Sequence, residues 1–195
     1  MMRVSRRATV WIFTVAMIVI DQVIKFLVKT NMTIGESIHV FGDWCQIYFV
    51  ENNGMAFGMQ WGDVAGKLIL SIARVVIVTL LAVYIHKLLK KEETPTGVII
   101  GLSAIMCGAL GNIIDSLFYG MIFSESTYTT VAQLFPATGG YSGFLLGKVV
   151  DMFYFPIIKI GDFIFFRPIF NFADACVTCG AFYLIIFKWK YFAKK

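Results

Sequence analysis

Long apolar runs at about 8–29, 65–86, 97–120 and 171–188 dominate the pattern of hydrophobic and polar positions along this chain. A helix rises about 1.5 Å per residue and needs roughly 20 mostly apolar residues to cross a hydrocarbon core. Each run approaches or exceeds that length, so the pattern predicts four transmembrane helices in a single membrane-embedded domain, 1–195. The pattern changes in the two long connections, about 30–64 and 121–170. In the first, Ser37 to Phe41 and Cys45 to Val50 are rich in β-branched and aromatic residues and are separated by the turn pair Gly42-Asp43. That is the signature of two short strands, expected to lie on the membrane surface as a platform over the helices. The second opens with a Ser/Thr-rich, turn-prone section, Ser124 to Gly147, containing Pro136 and Gly139-Gly140. It becomes apolar and aromatic from Val149 to Phe170, broken by Pro156, Gly161 and Pro168. The expected fold is mainly α: a polytopic membrane protein with four transmembrane helices, a small extracytoplasmic β-sheet and a long covering loop.

Composition strengthens the membrane reading. The 195 residues are 58% hydrophobic and only 15% charged, a balance that a soluble domain of this length would hardly carry. The formal charge of +5 comes largely from clusters at the ends of the runs. Arg3, Arg6 and Arg7 precede the first; Lys87, Lys90 and Lys91 lie between the second and third; Lys188, Lys190, Lys194 and Lys195 close the chain. Basic residues flanking spans stay on the cytoplasmic side, so both termini are expected there and the two long connections outside. The clusters fit topology and anionic headgroups, and no nucleic-acid partner is expected. The basic start imitates a cleaved signal peptide, but the apolar run continues past Asp21 to Val28 without a small-x-small site, so it reads as a retained span. Cys176 and Cys179 form a C-x-x-C inside the fourth run with no second pair, and His39 and His86 fall on opposite sides of the membrane. Cys45, Cys107, Cys176 and Cys179 therefore read as packing residues, and no metal site is expected.

Topology also assigns depth. Asp21, Gln22 and Lys25 fall in the outer half of the first span, and Asn112 and Asp115 in the outer half of the third, in line with Gly108. Asn171 and Asp174 stand at the outer entrance of the fourth, and Asp151 approaches from the outer loop. Intramembrane ionisable groups are costly unless paired or wet, so their gathering at one level predicts a common polar cavity opening outward. Each also has a structural reading. Asp21 and Lys25, at i and i+4, fit an intrahelical ion pair. Asn171 fits an N-cap with Asp174 three residues on. Asp115 fits a buried partner for Lys25 or Arg74.

Asp151, in Val149-Val150-Asp151-Met152-Phe153, and Asp174, in Asn171-Phe172-Ala173-Asp174, are carboxyl groups in apolar settings. Such surroundings disfavour ionisation, and a nearby pair can divide into one acid and one base. That is the equipment of an aspartyl hydrolase. Together with Asp21-Gln22-Val23-Ile24-Lys25, Asn52-Asn53-Gly54-Met55-Ala56-Phe57-Gly58 and Gly108-Ala109-Leu110-Gly111-Asn112, these motifs resemble, in order, those of the lipoprotein signal peptidase (signal peptidase II) family. The resemblance implies that Asp151 and Asp174 are catalytic, and that Asp21, Lys25, Asn52, Gly54, Gly108, Asn112, Asp115 and Asn171 support the site or bind substrate. It further implies a four-helix bundle topped by a small sheet, in the bacterial cytoplasmic (inner) membrane. The implied substrate is a diacylglyceryl-modified prolipoprotein, cut on the amino side of its lipidated cysteine. No cofactor is expected, membrane lipid is a partner, and the chain is expected to act as a monomer. Two departures stand out. Ser116 follows Asp115 where the family has arginine, with Arg74 or Arg167 as candidate replacements, and the stretch from Asp115 to Asp151 is unusually long. The loop around Tyr128 to Phe144 is expected to gate or cover the site. Presenilin-type and prepilin-peptidase-type enzymes carry a Gly-x-Gly-Asp motif that this sequence lacks. The non-enzymatic alternative is a proton- or ion-coupled membrane transporter.

Overall fold

The computed structural model describes residues 5–53, 64–157, 159–160, 163–164 and 168–193. Four helices in it are long and apolar enough to cross a membrane. Helix α1 (Arg6–Asn31) starts on Ser5, whose hydroxyl accepts from the Ala8 amide. It ends at Met32, whose amide closes the last turn on the Val28 carbonyl at 3.0 Å, while Thr30 and Asn31 turn their side chains back to the Phe26 and Leu27 carbonyls, both at 2.8 Å. Helix α2 (Val64–Leu89) runs to the basic connection, and α3 (Thr96–Ile114) returns from it, beginning just after Pro95. The third span continues through a widened π turn, Asp115–Tyr119, and a last short turn, α4 (Gly120–Ile122). Helix α5 (Phe172–Ala193) completes the bundle. Each lies within a few residues of its predicted run. Side chains such as Ile69, Leu80 and Phe187, each about two-thirds exposed, form the apolar outer surface that lipid would cover.

The hairpin forms as expected, β1 (Ser37–Phe41) against β2 (Cys45–Asn52), with β2 running two residues beyond the predicted end. The second connection adds strands that its prolines had obscured: β3 (Val149–Tyr154), β4 (Lys159–Ile160), β5 (Phe163–Ile164) and β6 (Ile169–Phe170). The main sheet has the order β1-β2-β3-β6, all antiparallel, while β4 and β5 pair separately. Asp151 lies opposite Val50, and Val149 opposite Asn52. Because successive side chains alternate between faces, Asp151 and Asn52 look one way, while Phe49, Glu51, Val150 and Met152 look the other.

Two cores result. One joins Val10 of α1, Ile85 and Leu88 of α2, Val98, Ile99 and Leu102 of α3, and Leu184 of α5, at the end remote from the sheet. The other lies behind the sheet, where Phe49, Val150 and Met152 pack on Val28, Met32, Tyr119, Phe123 and Ala132, with Tyr141 at the margin. The long loop after the third span thus covers the sheet face turned away from Asp151.

Candidate active site

Helix α5 begins at Phe172, which makes Asn171 its N-cap and Asp174 its third residue. The Asp174 amide donates to Asn171 Oδ1 at 2.9 Å, and the Asn171 amide donates to Asp174 Oδ2 at 3.2 Å. This reciprocal arrangement is a capping box. The structural role expected of Asn171 is therefore present, and it has a further effect. With Oδ1 committed to the helix, Nδ2 must face the sheet, where it donates to Asp151 Oδ1 at 2.6 Å and to Asn112 Oδ1 at 2.9 Å.

Asn112 closes the circuit. Its Oδ1 accepts from Lys25 Nζ at 2.8 Å, a group that can only donate, so its Nδ2 points to Asp174 Oδ1, also at 2.8 Å. Asp151 receives a second amide from Asn52 across the strand pair. The two aspartates are thereby joined through two asparagines whose amide orientations are dictated by chemistry, and five elements contribute: β2, β3, α1, α3 and α5.

Beneath this network lies a buried charged cluster. Lys25, fully buried, is 2.9 Å from Asp21 and 2.8 Å from Asp115. With Asn112 this satisfies all three of its donors. Asp21 Oδ1 accepts from the Ala173 amide at 2.9 Å, one of the open donors in the first turn of α5. Asp115 Oδ2 accepts from the Val150 amide at 3.3 Å, next to Asp151 in the chain. The intrahelical pair and the buried Asp115 partner both exist, and each also anchors a segment that carries a catalytic candidate. Gly108 and Gly111 allow the approach: a Cβ on Gly108 would lie 2.3 Å from the Ala173 carbonyl oxygen, and one on Gly111 would lie 2.5 Å from Asp21 Oδ2.

Asp151 is 2% exposed. Burial, and then the negative charge of Asp174, push its carboxyl up to about 7, against the opposing hydrogen bonds from Asn171 and Asn52 and the charge of Lys25. The carboxylates whose charge acts on Arg74 of α2 are, in order, Asp174, Asp151 and Asp115. Ser116, beside Asp115, turns its hydroxyl back to the Asn112 carbonyl at 3.1 Å. Gly54, with Met55 to Gly58 of its motif, and Arg167 lie outside the described residues.

Gln22 was placed by the sequence at this level without a role, and Lys29 was missed. Gln22 donates to Asp21, to the Gly111 carbonyl and to Asp115 at 3.0–3.2 Å, and accepts from Tyr119, locking α1 to the third span. Lys29 is buried against Glu51 and lies 3.0 Å from Ser126, with Lys148 3.5 Å from the second Glu51 oxygen. The i+4 spacing of Asp21, Lys25 and Lys29 was the available signal, since it places all three on one helix face.

Comparison with known proteins identifies the family. A family model described as signal peptidase (SPase) II matches residues 13–190. A lipoprotein signal peptidase of Porphyromonas gingivalis is 46% identical over 183 residues, covering 88% of this chain and 79% of that protein. One from Amoebophilus asiaticus is 32% identical over 183 residues, with 88% and 73% covered. Two solved structures, both of bacterial membrane enzymes crystallised in meso, superpose with a TM-score of 0.61. They are 28% and 26% identical, and the matches cover 91% and 96% of this chain and 90% and 91% of theirs.

Proposed function

The chain belongs to the signal peptidase II family, a membrane peptidase family that cleaves lipoprotein signal peptides, and on that premise we propose that it is an aspartic endopeptidase whose dyad is Asp151 and Asp174. The carrying observation is the chain of hydrogen bonds Asp151–Asn171–Asn112–Asp174, which ties both carboxyl groups into one network. Asp151, raised to about 7, keeps the proton. Asp174, facing the Asn112 side-chain amide and the Asn171 backbone amide at the positive end of α5, acts as carboxylate.

The reaction follows from these states. Asp174 takes a proton from a water molecule, and the resulting hydroxide adds to the scissile carbonyl carbon while Asp151 gives its proton to the developing oxyanion. The tetrahedral diol collapses when Asp174 returns its proton to the amine nitrogen, the C–N bond breaks, and Asp151 regains its proton as the carbonyl reforms. Lys25, Asp21, Asp115 and Gln22 hold the platform, Asn52 and Asn171 orient Asp151, and Arg74 supplies positive field where the family's arginine is replaced by Ser116. Gly108 permits the approach of α5. Gly54, in the same motif as Asn52, belongs with the substrate-binding set.

The substrate is a bacterial prolipoprotein whose cysteine already carries diacylglycerol, cleaved on the amino side of that cysteine. A site at one end of the bundle, level with the outer headgroups, meets the junction between a spanning signal peptide and its lipidated cysteine while the acyl chains stay in the bilayer. Both termini lie in the cytoplasm. Arg6, Lys87, Lys90, Lys91, Lys188 and Lys190, gathered at the end remote from the sheet, support that orientation. The chain acts as a single membrane-embedded unit and as a monomer. No observation favours the transporter alternative.

The test is a gel-shift cleavage assay with purified protein and a diacylglyceryl-modified prolipoprotein, run beside the unlipidated form. Cleavage is expected to need the lipid and to fall about 10²–10⁴-fold in Asp151→Asn and in Asp174→Asn. Substantial turnover by either variant would overturn the dyad.

A further inference from the structure

From Ser126 to Gly147 the chain holds no Asp, Glu, Lys, Arg or His. Surfaces in water are normally studded with charge, so a connection of this length without any is suited to having part of its surface in lipid. Its side chains divide by face. Ala132 and Tyr141 turn inward to the core behind the sheet. Leu134, Phe135 and Phe144 turn outward and are 38%, 72% and 52% exposed. Phe135 does so at φ +48°, a backbone conformation that a bulky residue adopts only where its surroundings impose it.

Depth can be read from the contacts. Phe144 packs edge-on against Phe118, with ring centroids 6.1 Å apart. Phe118 and Met121, themselves more than 40% exposed, belong to the final turns of the third span. The outward apolar face of the loop is therefore continuous with the flank of a membrane-spanning helix. Ser71, about two turns inside the sheet-side end of α2, donates to the Leu145 carbonyl at 3.0 Å. At about 1.5 Å per residue Ser71 lies about 10 Å along that helix, and a hydrocarbon core about 30 Å thick centred on it begins about 5 Å in.

The backbone meets the condition for such a position. Non-helical chain is tolerated at membrane depth only where its polar groups are satisfied within the protein. The amides of Phe135, Tyr141, Ser142, Leu145 and Gly147 donate to the carbonyls of Ile122, Phe123, Gly120, Leu117 and Ser116, at 2.7–3.4 Å. The Gly120, Ile122 and Phe123 carbonyls lie where the helical ladder runs out, and those of Ser116 and Leu117 belong to the π turn. Gly140 allows this pairing, since a Cβ there would lie 2.2 Å from the Gly120 carbonyl oxygen.

We propose that the Leu134, Phe135 and Phe144 face of this loop is a re-entrant foot seated among the acyl chains of the sheet-side leaflet, with bulk bilayer lipid as its partner. The foot covers the end of the third span, and so fixes the π turn that carries Asp115. This assignment is independent of the peptidase chemistry.

The test uses the full chain with Trp11, Trp44, Trp61 and Trp189 replaced by Phe, reconstituted into vesicles of phosphatidylcholine brominated along its acyl chains. Single tryptophans are introduced as Phe144→Trp, with Phe118→Trp as the helix reference and Thr129→Trp in the polar turn as the aqueous reference. Phe144→Trp is expected to be quenched several-fold more than Thr129→Trp and as strongly as Phe118→Trp, with blue-shifted emission. Phe135→Trp repeats the measurement at a second position should the first variant be poorly folded. Quenching no greater than at Thr129, with the emission of a water-exposed indole, would overturn the proposal. Quenching that appears only on addition of a diacylglyceryl peptide with brominated chains would also overturn it, by transferring the surface to substrate lipid.

Discussion

Asp151 owes its character to a balance of environments that can be followed by titration. Burial and the charge of Asp174 raise it from an ordinary 3.8 to about 7, so its proton is held more tightly in the folded protein than in the unfolded chain. The corresponding contribution to stability is complete below about 4 and is lost as pH rises through about 7. Asp151→Asn cannot ionise and escapes that loss. Its melting temperature in detergent is expected to match wild type near pH 4, to exceed it progressively up to pH 7 and to hold the margin above; an identical pH dependence in the two proteins would contradict the raised value. In the wild-type enzyme the same titration removes the acid of the proposed mechanism. The value of kcat/KM is therefore expected to fall as pH rises through about 7, whereas a profile flat from pH 6 to 9 would remove Asp151 from that role.

At the level of elements, the site depends on how closely α5 can approach α3. The first turn of α5 carries Asn171 and Asp174, and its Ala173 carbonyl sits where a side chain on Gly108 would have to be. A backbone atom cannot yield as a flexible side chain does, so Gly108→Ala must displace the turn itself. Overpacking of this kind costs about 1–3 kcal/mol. The expected result is a lowered melting temperature with a fall in kcat that outweighs any change in KM, because the displaced turn carries Asp174 of the proposed dyad; unchanged kcat would mean that the helices tolerate the separation. The capping box shows why motif residues resist assignment to structure or function alone. Asn171 caps α5 with one end of its amide and directs the other at Asp151, so one side chain does both.

Across the whole molecule, the sheet is held from both faces. On its rear, Glu51 meets buried Lys29 from α1 and Ser126 and Lys148 from the long loop, one residue from Asn52. Breaking a buried ion pair costs about 3–5 kcal/mol when a charge is stranded. Glu51→Leu is expected to show that penalty, because it leaves Lys29 without its carboxylate. Lys29→Met is expected to cost less, since Lys148 remains near Glu51, and the double variant should be more stable than Glu51→Leu alone. Additive melting-temperature changes would show that the pair is uncoupled. The sequence by itself determined the four spans, the hairpin and most of the polar residues that gather around Asp151 and Asp174 but not Lys29 and Glu51, because membrane insertion imposes length and apolarity on local segments and an intramembrane charge is conspicuous wherever it falls. It also carried both readings of Asn171, Asp21 and Asp115. Only the tertiary structure decided that the structural contacts of these residues also reach the segments of Asp151 and Asp174, that β3 and β6 join the hairpin, and that the long loop lies behind the sheet. It likewise decided which way each amide points and how Asp174 bears on Asp151. These properties depend on contacts between residues far apart in the chain, such as Val150 with Asp115 and Ala173 with Asp21, and no local pattern encodes which distant partner a buried donor will meet.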